Sequence, residues 1–139
     1  MALWISRHSL GALRKTPSCM IKAAHHVQIS IPIGAEDDAR RFYCGILGMV
    51  EIPKPRSLQG RGGFWIELNG FQVHFGTEDG IERERTRSHV AYLVTDLEGW
   101  KERLAAIGCD VRDGIPIPNF RRFECRDPFG NRVEFLEEE

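Results

Sequence analysis

Hydrophobic and polar positions alternate over residues 24–31 (AHHVQISI). Val27, Ile29 and Ile31 share one face, and His26, Gln28 and Ser30 share the other. A period of two is that of a strand with one buried side. His25 falls on the apolar face, beside Val27. From Ala35 the period changes: Ala35, Ala39, Phe42, Tyr43, Ile46 and Leu47 recur at helical spacing. Glu36, Asp37 and Asp38 occupy the first turn, where the helix dipole favours acids, and Gly48 stands where a helix is capped. The spacing predicts a helix over 35–48 and a short strand over 49–52. The following stretch, PKPRSLQGRGG (53–63), has a Pro and Gly content expected to exclude regular structure. Phe64–Leu68 and Phe71–Phe75 read as strands joined by Asn69-Gly70, a strong hairpin signal. In the second of these strands Gln72 and His74 lie opposite Phe71, Val73 and Phe75.

Residues 77–88 (TEDGIERERTRS) are densely charged and aperiodic, and read as a solvated linker. Beyond them the pattern returns. A strand over 89–94 puts Val90, Tyr92 and Val94 on one side and His89, Ala91 and Leu93 on the other. Asp96 caps a helix carrying Leu97, Trp100, Leu104 and Ile107. A short strand (109–112), a Pro-containing loop, a strand over 121–126, the turn DPFGN and a last strand over 133–136 complete the second half. HHVQI aligns with SHVAY, ARRFYCGILGMVE with WKERLAAIGCDVR, and NGFQVHF with FGNRVEF. Each half therefore reads β-α-β-β-β. The expectation is an α+β domain over 23–139, built of paired βαβββ modules (23–80 and 86–137) whose sheets form a curved half-barrel around a common cleft.

Composition adds limits. A net charge of −1 over 139 residues gives no reason to propose nucleic acid or an acidic membrane as partner. No apolar run approaches the ~20 residues of a membrane-spanning helix. Cys19, Cys44, Cys109 and Cys125 are scattered and read as reduced thiols, which suits a cytoplasmic protein. Residues 1–22 hold Arg7, Arg14, Lys15 and Lys22, and the first acid is Glu36. This segment resembles a mitochondrial transit peptide, and reads equally well as an extension ahead of a domain starting at Met20.

The repeat draws attention to His26, His74, His89 and Glu134. His26 and His89 begin the first strand of each half, and His74 and Glu134 sit in the last. All are placed opposite the large apolar residues, so all are expected to line one cavity. Imidazole nitrogen and carboxylate oxygen suit one divalent ion, Zn, Ni, Mn or Fe, with a position left open for substrate. Without His74 the remainder is still a His, His, Glu set of the kind that holds non-haem iron. Arg121 and Arg122 are candidates for an anionic substrate group, or are solvated strand-edge arginines. Tyr43 and Tyr92 fall on apolar faces and read as core. Phe64 and Trp65 either wall the cleft or fill the core, and the glycine-rich 60–63 stretch is either a lid or a flexible loop.

HHVQI with ARRFYCGILGM, then QVHFG, SHVAYLVTDLEGW with RLAAIGCDV, and finally RRFECRDPFGNRVEFLE together resemble the vicinal oxygen chelate superfamily, which holds glyoxalases, bleomycin-binding proteins and extradiol dioxygenases. The resemblance implies a divalent metal held by His26, His74, His89 and Glu134. It also implies a homodimer in which modules can be exchanged between chains. Its closest look is glyoxalase-like: proton transfer next to a carbonyl of a small oxygen-chelating substrate, with Glu134 as base. Glyoxalase I usually has Glu where this chain has His74. The alternatives are an Fe(II)-dependent dioxygenase using His26, His89 and Glu134, and a metal-free drug- or metabolite-binding protein.

Overall fold

A computed structural model describes residues 20–139. Cys19 and nearly all of the basic 1–22 segment lie outside the described residues. Strand β1 (His26–Ile31) pairs in parallel with β4 (Phe71–Thr77), which runs antiparallel to β3 (Phe64–Leu68), which in turn pairs with β2 (Val50–Ile52). The β3–β4 turn is made by Asn69 at φ 49° and Gly70 at φ 81°, the pair of positive angles that lets a tight turn follow the strand twist. The second sheet repeats this plan with β5 (His89–Leu93), β6 (Arg112–Asp113), β7 (Phe120–Arg126) and β8 (Arg132–Glu138). The strand orders are β1-β4-β3-β2 and β5-β8-β7-β6, two mixed sheets of one topology in an α+β fold.

The alternation read from the sequence decides which side of each sheet is buried. Ile66, Val73, Phe64 and Phe75 of the first sheet, and Phe123, Val133 and Phe135 of the second, are at most 2% exposed and join one continuous core. The helices close over these faces: α1 (Glu36–Arg40) with the turns that follow it, and α2 (Leu97–Ala106), capped by Asp96 accepting from Gly99 N. Buried polar bonds tie the halves together. The Tyr43 hydroxyl donates to Asp127 Oδ2 at 2.8 Å, and Asn131 Nδ2 donates to the Ser30 carbonyl at 3.0 Å. Tyr43 and Tyr92 are core residues, as their positions in the sequence imply.

Several local expectations are corrected. The helix expected over 35–48 is α-helical only to Arg40; Arg41–Ile46 is a π-helical turn, closed by Leu47 N bonding the Phe42 carbonyl at 2.9 Å. Consecutive Phe42 and Tyr43 are both buried there. The loop 53–63 is not irregular throughout, because Arg56–Arg61 is a 3-10 turn. The charged 77–88 run is not merely solvated. Arg83 is 7% exposed, with its guanidinium on the Ser30 carbonyl and hydroxyl and on the Glu78 and Ile81 carbonyls. The strand expected over 109–112 lies instead at Arg112–Asp113, because Cys109 and Val111 pack against the core.

Candidate functional site

The side chains opposite the core form an open face on each sheet. On the first sheet, Gln28, His74 and Trp65 stand side by side across β1, β4 and β3, and His26 stands beside Gln72 in the next row. His74 is sandwiched: the Trp65 ring stacks at 3.8 Å between centroids and the His26 ring at 4.1 Å. The edge of the His74 ring meets Gln72, with Nε2 2.9 Å from Oε1. Burial first, and then the neighbouring His26 and His25, hold the His74 imidazole below its ordinary pKa. A neutral ring is the form that ligates a metal. Trp65 thus walls the cleft, while Phe64, its neighbour on the strand, is core.

His25 was expected on the apolar face. It lies one residue before β1, outside the pleat that would fix its direction, and is exposed. Its Nδ1 is 3.0 Å from His26 Nδ1, and both rings line the same cleft. Gln28 and Gln72 also belong to this face. Their places opposite His74 and His26 follow from the strand register, which the sequence alone leaves open.

On the second sheet, His89 Nε2 lies 2.7 Å from Glu134 Oε2, and Arg122 donates to Glu134 Oε1 at 2.8 Å. Glu134 is 4% exposed. A carboxylate so buried needs such partners to offset its lost hydration. The second nitrogen of His89 is 2.7 Å from the Arg87 carbonyl, which orients the ring. Arg122 also donates through Nε to the Ile115 carbonyl at 2.7 Å. Arg122 is therefore bound to the candidate site through Glu134. Arg121 points to the other side of β7 and pairs with Glu137, away from it.

The structure brings His26 to His74 and His89 to Glu134. It does not bring the two pairs together. Among the described residues no group of three or more His, Cys, Asp or Glu side chains is disposed to hold a metal. The halves meet through the Tyr43–Asp127 and Asn131–Ser30 contacts and their common core.

The donor chemistry of each pair fits a divalent ion. Donor atoms that share an ion at about 2.0–2.2 Å sit roughly 3 Å apart, close to the 2.7 Å between His89 and Glu134. Each pair alone supplies too few donors, since protein sites use three or four.

The sequence model of the Glyoxalase/Bleomycin resistance protein/Dioxygenase superfamily matches residues 23–135. Among solved structures the chain is similar to a Bacillus anthracis protein provisionally placed in the glyoxalase family, at 39% identity and a TM-score of 0.78, over 86% of this chain and 97% of that one. It has the fold of the fosfomycin resistance protein FosX from Listeria monocytogenes complexed with Mn(II) and sulfate, at 17% identity and a TM-score of 0.70, over 86% and 93% of the two chains. An integron cassette protein from a Halifax Harbour sewage outfall shares the fold at 19% identity and a TM-score of 0.64, over 84% and 99%. Among curated proteins none matches the chain.

Proposed function

Since the chain belongs to the Glyoxalase/Bleomycin resistance protein/Dioxygenase superfamily, we propose that it is a divalent-metal-dependent enzyme of glyoxalase-like type, moving a proton next to a carbonyl of a small oxygen-chelating substrate. The observation that carries this reading is the placement of His26/His74 and His89/Glu134 at equivalent positions of two like sheets, each pair on an open face. Neither pair suffices, and among the described residues no third His, Cys, Asp or Glu joins either pair. A second copy supplies the missing half: His26 and His74 of one chain meet His89 and Glu134 of another in a homodimer with two equivalent sites. The Mn(II) in the FosX structure is a divalent ion of the class this donor set suits.

His26, His74, His89 and Glu134 would hold a divalent ion, which would supply polarisation of the substrate's oxygens. The chain's own residues do the rest. His26 and His89 supply nitrogen donors, with the His89 ring held by the Arg87 carbonyl. Glu134 Oε2 receives the proton and returns it, while Arg122 holds Oε1 so that the carboxylate faces the substrate in one orientation. Trp65 and the sheet faces exclude water from the reacting carbon.

A second reading is favoured by one contact. Gln72 occupies His74 Nε2, and both faces of that ring are covered. A set of His26, His89 and Glu134, with His74 as a packing residue, is the iron triad of a dioxygenase. Anaerobic reconstitution with Fe(II), followed by oxygen-uptake assays on catechols, separates the two.

The shared site is tested by mixing inactive chains. His26→Ala and Glu134→Gln homodimers each spoil both sites. A mixed dimer formed by unfolding and refolding them together has one site free of either change if the pairs come from different chains, and none if each site is built within a chain. Recovery of Mn(II) binding on mixing is expected, and its absence in verified mixed dimers refutes the shared site.

A further inference from the structure

The cleft above the His26–His74 pair is not neutral. It has a volume of about 530 Å³, and its lining includes Lys54, Arg61, Leu58 and Trp65 besides the histidines. No carboxylate lines it. We propose that this cleft binds the carboxylate end of a small organic acid, with Lys54 and Arg61 holding the anion and Leu58 and Trp65 covering an apolar body. The proposal deepens the enzyme reading above by naming the substrate class, and it rests on that reading only for the chemistry, not for the binding.

The loop that carries the cations is fixed in place. Gly63 has φ 70°, and a Cβ there would fall 1.9 Å from the Phe75 carbonyl oxygen. Only glycine lets the loop lie this close on β4. Gly63 N donates to Glu36 Oε1 at 3.0 Å. Glu36, the carboxylate nearest the loop, is thereby turned to the backbone and makes no ion pair with Lys54 or Arg61. Lys54 Nζ donates to the Gly62 carbonyl at 2.5 Å, which folds the lysine over the cleft and leaves its other protons free. Arg61 has no ion-pair or hydrogen-bond partner among the described residues. Two cations beside an apolar wall, with no acid to neutralise them, make an anion site.

The second half of the repeat lacks this feature. Its corresponding loop, residues 114–119, reads GIPIPN and has no charged side chain. The arginine nearest that loop, Arg122, is committed to Ile115 and Glu134. The charge asymmetry therefore orients an acid. Its carboxylate lies on the His26–His74 half, and its reacting end is left for the half that carries Glu134.

The test uses phenylacetate and its neutral analogue phenylacetamide on the full chain stripped of metal, read by tryptophan fluorescence and calorimetry. Phenylacetate is expected to bind at least about tenfold more tightly than the amide, a preference that salt weakens. Lys54→Gln with Arg61→Gln should cost about tenfold for phenylacetate and leave phenylacetamide unchanged. Trp65→Phe should remove the fluorescence response. Equal binding of acid and amide, no binding of either, or an unchanged affinity in the Lys54/Arg61 variant overturns the proposal. Mn(II) binding is measured on the same samples. Failure of Mn(II) binding alone removes the metal reading and leaves the acid site standing, and failure of acid binding alone does the reverse.

Discussion

Asp127 joins the Tyr43 hydroxyl of the first half to the turn at Phe129 and Asn131 of the second, and replacing it by Ala tests that network. Its side chain is nearly buried, at 5% exposure for the residue. Oδ1 accepts from Phe129 N at 2.9 Å and Asn131 N at 2.8 Å. Oδ2 accepts from the Tyr43 hydroxyl at 2.8 Å and Asn131 Nδ2 at 2.9 Å. Bonds to a charged acceptor contribute about 1.5–3 kcal/mol each. These share one carboxylate and do not add. Asp127→Ala should therefore cost about 3–5 kcal/mol, the scale of breaking a buried charged network. For a chain of this length that lowers the melting temperature by roughly 10–20 °C. Tyr43→Phe removes one of the bonds and should cost about 1.5–2 kcal/mol. Burial, and then the charge of Asp127, push the Tyr43 hydroxyl well above its ordinary pKa, so this bond persists through neutral and mildly alkaline pH. Urea unfolding followed by tryptophan fluorescence, at one protein concentration because any self-association would shift apparent stability, gives each cost. In the double variant the two costs should fall short of additive by about 1 kcal/mol or more. A cost for Asp127→Ala below about 1 kcal/mol refutes the network as a stabilising one.

Glu134→Gln preserves shape and removes the charge between His89 and Arg122. The variant should stay folded by circular dichroism, lose turnover, and bind Mn(II) at least about a hundredfold more weakly; wild-type Mn(II) affinity or activity argues against Glu134 as ligand or base. The Cys125 thiol is pushed up to about 12, by burial before any neighbouring charge, and is 3% exposed. Alkylation by iodoacetamide near pH 8 should therefore modify half-buried Cys44 long before Cys125, and mass spectrometry that finds Cys125 labelled first contradicts its place in the core.

The alternating and helical periods were enough to place seven of the eight described strands, the second helix and the start of the first, because each of these elements buries one side and the sequence records that side. Val27, Val73 and Val133 lie inward and His26, His74 and Glu134 lie opposite for this reason. Features set by contacts between distant residues were not legible. The buried role of Arg83 depends on the Ser30 carbonyl, and nothing in a run of charges marks which one meets it. The π-helical turn depends on what Phe42 and Tyr43 pack against. His25 escaped because alternation describes residues inside a strand, and His25 lies just before β1 begins. The equivalence of the two candidate pairs, His26/His74 and His89/Glu134, was visible in the repeat. Their separation was not, since a repeat fixes what each half looks like and leaves open how the halves pack.

That separation gives the asymmetry of the repeat its meaning. The backbones of the sheets match strand for strand, so each half offers the same two positions for a donor. The side chains around those positions differ in kind. The first half sets His74 between aromatic rings beside unneutralised Lys54 and Arg61. The second sets Glu134 between His89 and Arg122. A site made by facing the first half of one chain with the second half of another would join an anion-binding wall to a proton-accepting one. Two first halves facing each other would crowd cations with no base, and two second halves would bring buried carboxylates together without the cleft. The charges themselves thus favour the mixed pairing, and an exchange of Arg122→Glu should disfavour it by leaving Glu134 beside a like charge.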